Sequence, residues 1–457
     1  MSHIPQNTFT DGPLGITYAR TALPIIFVMG MNGLLAVTDA LFLGRHVGPE
    51  ALAAVTLMFP AYMVIVASAT LTGSGLSSVL ARHLGRGDAG AARQVFASAH
   101  GLALAFSGLL ILGFAGFGPA LADVTAGGDP ALAGLGLTYL RILVLASPLM
   151  FVLTIHSDAL RNEGRVGFMA GMSLLVSLAN IAFNYLLIVG LDMGVAGSAY
   201  GTVLAQLLAF SIIAGFRQWG RTALTLPDLL RHNPLTGWGE ILALGAPQSL
   251  NFIGIALGTG AVMAALQMLG GDGYGLTMSA NGIVSRLLTF AFLPLLGLSH
   301  AMQTITGNCH GAGRHDRARS SLRIAIGLAF GYCLLVQLLL MLSAPRIGAG
   351  FVEDPAVVAE VARILPMIVA AFVLAGPLMM IATYFQAIGD AGRAALLGLS
   401  KPYLFAIPLT FSLALWIGEP GVWLAGPVAD LLLLAMTLAV LLRLSRKPVG
   451  VMVEDRP

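Results

Sequence analysis

Charge is scarce in this chain: Asp, Glu, Lys and Arg make up 10% of its 457 residues, against about 25% in an ordinary soluble domain. In their place 57% of the residues are hydrophobic and the mean hydropathy is +0.87, which makes the chain an integral membrane protein. Its pI near 9.0 rests on 24 Lys and Arg spread over the whole length, with no basic run beside an aromatic surface, so nucleic acid is not an expected partner. Cysteine is nearly absent. Cys309 and Cys333 support neither a disulfide framework nor a metal site. Also missing are an H-E-x-x-H pair, a nucleophile elbow and a P-loop; "GAGRHDRAR" has glycines but lacks the GK[ST] that cradles phosphate. No enzyme and no cofactor is expected, and any transport has to run on an ion gradient or passively. The first twenty residues lack the basic, apolar and small-residue order of a signal peptide, so the chain is expected to start in the cytoplasm.

A helix of about 20 apolar residues spans a bilayer. On that measure the sequence predicts twelve spans: 21–43, 51–80, 95–119, 133–158, 166–190, 195–217, 241–269, 273–302, 318–343, 357–386, 395–417 and 422–444. Pro24, Pro60, Pro148, Pro247, Pro294, Pro366 and Pro377 predict tilted or kinked helices. Basic residues stay on the cytoplasmic side, and alternate loops sort by charge. One set holds Arg82, Arg86, Arg93, Arg161, Arg165, Arg217, Arg221, Arg231, Arg314, Arg317, Arg319, Arg323, Arg393, Lys401, Arg443, Arg446 and Lys447. With Arg20 and Arg456 that is 19 of the 24 basic residues. The opposite loops carry Asp123, Asp129, Asp192, Asp272, Glu353, Asp354 and Glu419. Both termini are therefore expected in the cytoplasm.

The chain repeats itself. Residues 50–93 lie without a gap against 276–319, and both stretches end in a glycine-rich basic turn, "GRGDAGAAR" against "GAGRHDRAR". "ASPLMFVLT" (146–154) matches "AGPLMMIAT" (375–383) with both prolines in register. The offsets, 226 and 229, are those of a six-helix duplication, which predicts two lobes of one orientation related by a pseudo-two-fold along the membrane normal. The expected domains are an N-terminal lobe over 1–217, a polar cytoplasmic linker over 218–240 and a C-terminal lobe over 241–457. Two lobes around a cleft suit a transporter better than a channel.

Polar residues at membrane depth are costly and mark function. Asp39, in "VTDALFLGR", is the sharpest such residue, and Asn32 precedes it by seven residues on the same helix face. Two readings stand: a cation site in the outer half of the first span, or an interfacial acid paired with Arg45. Ser173, Ser177, Asn180 and Asn184 form a helical stripe in the fifth span; Ser198, Thr202 and Gln206 form another in the sixth. Such stripes either bind helices together or close a pocket around Asp39. Aligning Pro24 with Pro247 puts Val262 opposite Asp39, so one lobe alone has the acid. Asp430 reads as a second cation site or a packing residue. Arg286 reads as a lobe-stabilising donor or a substrate contact. Met58 and Met263, among 19 methionines, line an adaptable cavity or simply fill space. Gly197 with Gly201, and Gly254 with Gly258, have the spacing that lets helices approach closely. His100, His156 and His300 show no ligand spacing, and no metal site is assigned beyond Na⁺ at Asp39.

Taken together, the opening "ALPIIFVMGMNGLLAVTDALFLGRHVGPEALAAVTLMFPAY", the turn "GLSSVLARHLGRGD", then "LRNEG", "NIAFNYLLIVG", "GVAGSAYGTVLAQ", "SANGIVSRLLTFAFLPLLGLSHAMQTITGNCHGAG" and "YFQAIGD" resemble the multidrug and toxic compound extrusion family. That family falls within the wider group that includes lipid-linked oligosaccharide flippases. The resemblance implies a twelve-helix, two-lobed antiporter that exports bulky, often cationic amphiphiles against H⁺ or Na⁺. It also implies a coupling network of an Asp in the first helix, polar residues of the fifth and a Thr of the sixth. These positions fall on Asp39, on Asn180 and Asn184, and on Thr202, with Pro24 at the family's bending proline. Some members carry Asp where this chain has Asn184, so the site has one carboxylate fewer, and H⁺ and Na⁺ both stay open. Acids of the family's seventh and tenth helices are absent from the helix cores here.

The sequence thus predicts an all-α membrane protein working as an ion-coupled multidrug exporter in a bacterial inner membrane, with a flippase-like transporter as the alternative. Its expected partners are amphiphilic small molecules and the lipid bilayer; a monomer is expected, and antibiotic resistance is the associated phenotype.

Overall fold

The computed structural model describes residues 7–219, 222–270 and 273–445. Arg221, Asp272, Arg446, Lys447 and Arg456 of the charge reading lie outside the described residues. Among the described residues all regular structure is helical, and ten helices are long and apolar enough to cross a membrane, twelve when two bent pairs each count as one span. The fold is therefore an all-α, multi-pass membrane protein. The chain divides into two compact units: Met1–Ile253 with Phe290–Ile324 and Thr383–Ala391, and Gly254–Thr289 with Ala325–Ala382 and Gly392–Pro457.

The first unit opens with α1 (Leu14–Phe42), α2 (Pro49–Leu57), α3 (Phe59–Arg86), α4 (Ala89–Thr125), α5 (Pro130–Leu145), α6 (Ser147–Asn162), α7 (Val166–Asn184) and α8 (Gly194–Trp219). A short α9 (Asp228–Arg231) lies in the polar stretch 218–240, and α10 (Trp238–Leu269) follows. The expected span over 51–80 is corrected: residues 49–57 form the separate α2, and the membrane helix starts at Phe59. Pro60 explains the break, because proline removes a backbone donor and clashes with the preceding turn, so it sits in the first turn of α3 and not inside a longer helix. Pro148 does the same between α5 and α6, which meet at 50°. Pro24 and Pro247 stay inside their helices.

Helix ends are set by local chemistry. α3 stops at Gly87, whose φ of 75° is the left-handed conformation that ends helices. Asp88 then caps α4, accepting from the Ala91 N–H at 2.9 Å. The repeat-related turn behaves alike: Gly313 has φ +72° between α11 (Tyr274–Gly311) and α12 (His315–Ile347). The core of the first unit is built of fully buried Leu76, Leu80, Phe96 and Phe151 with Ala99, Ala103 and Ala159. Glycines bring its helices into backbone contact. A Cβ at Gly75 would overlap the Ile241 carbonyl, and one at Gly245 the Leu71 carbonyl. Gly85 and Gly311, equivalent positions of the repeat, face Asn308 and Arg82 in the same way.

The second unit takes the end of α10 from Gly254, the start of α11 and most of α12, then α13 (Pro355–Ile368), α14 (Phe372–Ala387) up to Ala382, α15 (Ala391–Leu399) from Gly392, α16 (Ile407–Ile417) and α17 (Glu419–Ser445). α13 and α14 meet at 47°, matching the bent fourth span of the first half. The break frees backbone groups that have no water at membrane depth. Gln337 of α12 takes both: its amide donates to Ala370 O at 3.1 Å and accepts from the Val373 N–H at 2.7 Å. Within α13, Arg363 bridges Glu360, at 2.6 Å, and Glu419 at the start of α17.

Candidate functional site

Asp39 lies in the last quarter of α1, just before a widened π-helical turn, Leu43–Val47. α7 ends the same way, with Asn184 followed by the π-helical turn Tyr185–Gly190. Such widened turns are frequent at functional sites, because they shift the register of the side chains beyond them. Asn180 and Asn184 are one turn apart on α7 and wholly buried. α8 packs closely because Gly197 and Gly201 present no side chain to this stretch: a Cβ at Gly197 would meet Ile188 at 3.0 Å, and one at Gly201 would meet the Asn184 backbone N at 3.2 Å.

The Asn184 amide donates to Asp39 Oδ1 at 2.6 Å and lies 3.1 Å from Asn180 Oδ1. Asn180 also touches Thr202 Oγ1 at 2.9 Å. An amide can be turned by half a rotation without changing shape. In the turned orientation Asn180 donates to Asp39 Oδ1 at 2.9 Å and accepts from Thr202 Oγ1 at 2.9 Å, which satisfies both ends and puts two donors on one carboxylate oxygen. The four residues of the expected network, Asp39, Asn180, Asn184 and Thr202, are thus brought together. A second rung, Ser173 Oγ to Asn32 Oδ1 at 3.5 Å, links α1 and α7 one step earlier.

Among the described residues no base neutralises Asp39. Arg45, the rival partner, is exposed in the π-turn and forms no ion pair among them. The half-buried carboxylate is held by neutral side-chain amides, Asn184 and the turned Asn180, and can accept a proton or a small hard cation. Among the described residues no three His, Cys, Asp or Glu side chains gather to hold a metal ion.

The other candidates lie elsewhere. Ser177 is buried, and its hydroxyl goes to Ser173 O at 3.1 Å. Gln206 is half-buried, one turn beyond Thr202. Met58 is fully buried in the apolar core, its sulfur 3.6 Å from Thr125 Oγ1. Met263 is exposed. Arg286 is exposed and makes no ion pair among the described residues. Asp430 is buried and bound to Lys401 at 2.6 Å.

Two buried polar clusters were not foreseen. Arg217, counted as a loop cation, is completely buried. It donates to Glu163 Oε2 at 3.0 Å and to His156 Nδ1 at 2.8 Å, and His156 Nε2 lies 3.4 Å from His100 Nε2. Arg161 donates to Ser77 Oγ at 2.9 Å and Thr304 Oγ1 at 3.1 Å and is paired with Asp158 at 3.0 Å. The only sequence signal for either was an arginine at a helix end with an acid within a few positions of it or of the next helix end.

Known proteins share this fold. A curated relative from Shewanella oneidensis, named "FAD transporter", is 24% identical over 93% of both chains. One from Thermotoga maritima, named "Probable multidrug resistance protein NorM", is 23% identical over 94% of this chain and 92% of its own. Among solved structures, an outward-facing multidrug resistance MATE family transporter superposes with a TM-score of 0.87 at 24% identity, covering 98% of this chain and 100% of the other. A MOP superfamily transporter from Pyrococcus furiosus also gives 0.87, at 23% identity, over 97% and 99%. The MatE family pattern matches residues 24–186 and 247–412, each match opening at a proline that the repeat aligns, Pro24 and Pro247. The chain is a member of the multidrug and toxic compound extrusion (MatE) family of transporters.

Proposed function

We propose that the chain is a cation-coupled exporter that exchanges H⁺ or Na⁺ for bulky amphiphilic, often cationic compounds by alternating access between its duplicated halves, 1–217 and 241–457, joined by 218–240. It works as a monomer in a bacterial inner membrane with both termini cytoplasmic. Asp39 takes the coupling ion, with Asn180, Asn184 and Thr202 as its neutral partners and Pro24 as the hinge of α1. The observation that carries this reading is a membrane carboxylate that accepts amide hydrogen bonds and has no basic partner among the described residues: its charge has to be met by an external cation or a proton. The flippase alternative calls for free cations to hold a pyrophosphate. Among the membrane-depth cations described, Arg161, Arg217 and Lys401 are each tied to an acid, which leaves Arg141 and Arg286 as isolated arginines on different helices.

The test is reconstitution into proteoliposomes. A fluorescent cationic dye is followed under an imposed pH gradient, then under a Na⁺ gradient, with FAD as a separate arm because one relative is named for it. Dye movement driven by one of the two gradients supports the reading. Movement indifferent to both overturns it.

A further inference from the structure

We propose that Gly201 is a positioning residue of the Asp39 site: the space left by its missing side chain is what allows the Asn184 amide to lie against the carboxylate. This rests on the coupling role given to Asp39 above. The Asn184 amide is wholly buried and its two ends are used unequally. Nδ2 faces Asp39 Oδ1 at 2.6 Å and Asn180 at 3.1 Å, whereas Oδ1 has no hydrogen-bond donor among the described residues. That oxygen points at Gly201, where a built Cβ would overlap it. A buried acceptor without a donor costs free energy, so this orientation persists because the Nδ2 bond to Asp39 outweighs the cost and because glycine alone leaves room for the oxygen.

The consequence is directional. An alanine at 201 pushes against the amide oxygen and the Asn184 backbone N, 3.2 Å away. The terminal torsion of asparagine is soft, so the amide rotates before the helices part, and Nδ2 leaves Asp39. Gly197, one turn earlier on the same face, supplies the contrast: it meets Ile188 and Leu187 at 3.0 Å and 3.2 Å and does not touch Asn184. A glycine that only lets two helices approach would behave like Gly197.

The experiment is a double-mutant cycle of Gly201→Ala and Asn184→Ala in the full-length protein, with Gly197→Ala as the packing control. Two readouts are taken: gradient-driven dye efflux, and the rate at which a carbodiimide labels Asp39, a reagent that attacks only the protonated carboxyl and is referenced to Asp39→Asn. If Gly201 acts through Asn184, each single variant loses about tenfold or more in coupled efflux, the worth of a hydrogen bond to a charged group. Both also change Asp39 labelling by the same factor, the double variant is no worse than Asn184→Ala, and Gly197→Ala leaves Asp39 labelling unchanged. Independent losses in the double variant, or Gly197→Ala altering labelling as strongly as Gly201→Ala, overturn the proposal. Should Gly201→Ala fail to fold, folding of the double variant supports it and failure of the double variant overturns it, because removing the amide removes the overlap with its oxygen and leaves only the 3.2 Å approach to the Asn184 backbone N. The labelling arm stands apart from the coupling reading. Asp39→Asn with full coupled efflux defeats that reading, while the labelling cycle still reports whether Gly201 holds Asn184 on Asp39.

Discussion

Replacing Asp39 by Asn removes the charge and little else. The asparagine keeps an oxygen where Asp39 Oδ1 accepts from Asn184 at 2.6 Å and from the turned Asn180 at 2.9 Å, so the cost to the fold is that of weakening two charge-assisted bonds, about 2 kcal/mol. The cost to transport is far larger. Asn180, Asn184 and Thr202 are neutral, so the site carries one ionisable group and exchanges one ion per cycle on the proposed reading. For a neutral substrate a potential of about 100 mV supplies about 2.3 kcal/mol and one pH unit about 1.4 kcal/mol. Together they sustain a substrate gradient of several hundred-fold, at tenfold per roughly 1.4 kcal/mol. For a monovalent cationic substrate the one-for-one exchange is electroneutral, and only the pH term, about tenfold per unit, remains. The assay is steady-state accumulation of a neutral and a cationic dye in proteoliposomes whose potential and pH difference are set separately. Asp39→Asn is expected to bring the neutral dye to a ratio of unity and the cationic dye to the ratio the membrane potential alone sets, while monodispersity in detergent is retained. Concentrative transport by that variant at the wild-type ratio refutes the reasoning.

Restoring the second acid with Asn184→Asp places two carboxylates side by side, which cannot both ionise without a bound cation; Na⁺ in place of choline should then raise the unfolding temperature of the variant more than that of the parent. Lys401→Met strands buried Asp430 and is expected to cost about 3–5 kcal/mol, whereas Lys401→Met with Asp430→Leu recovers most of it. Thermal unfolding in detergent reads both, and equal stability of the single and double variants refutes the ion pair. Gly85→Ala and Gly311→Ala, whose added Cβ would overlap a facing carbonyl, should each destabilise by about 1–3 kcal/mol. Gly258→Ala, with nothing within 4 Å, should leave the yield of folded protein unchanged.

The fold was legible because its signals are local. Apolar length marks the spans, and the turns at Gly87 and Gly313 announce themselves twice, at the same place in each repeat. The network at Asp39 was legible for a related reason: Asn180 and Asn184 fall one turn apart, and a lone acid in an apolar helix needs donors. Other features depend on distance in the fold. Arg217 looks like any basic residue closing a helix, yet its partners Glu163 and His156 lie 54 and 61 residues away. The separation of α2 from α3 turned on which of two responses Pro60 would draw, a kink or a break, and periodicity does not distinguish them.

The same physics explains why the two halves, alike in fold, differ in their acids. Asp39 faces the Asn180 and Asn184 amides, and the aligned position of the second half is Val262, which offers no carboxylate to a cation. The buried acid of the second unit, Asp430, carries its own cation instead, Lys401, at 2.6 Å. A buried carboxylate with a tethered ammonium is neutral as a pair, and bringing in an external cation means breaking a bond already made in a medium of low dielectric. A carboxylate with neutral partners has no such competitor. Compared with Asp430, Asp39 is therefore the acid that suits the proposed exchange of charge, and Asp39→Asn is expected to uncouple transport without unfolding the protein.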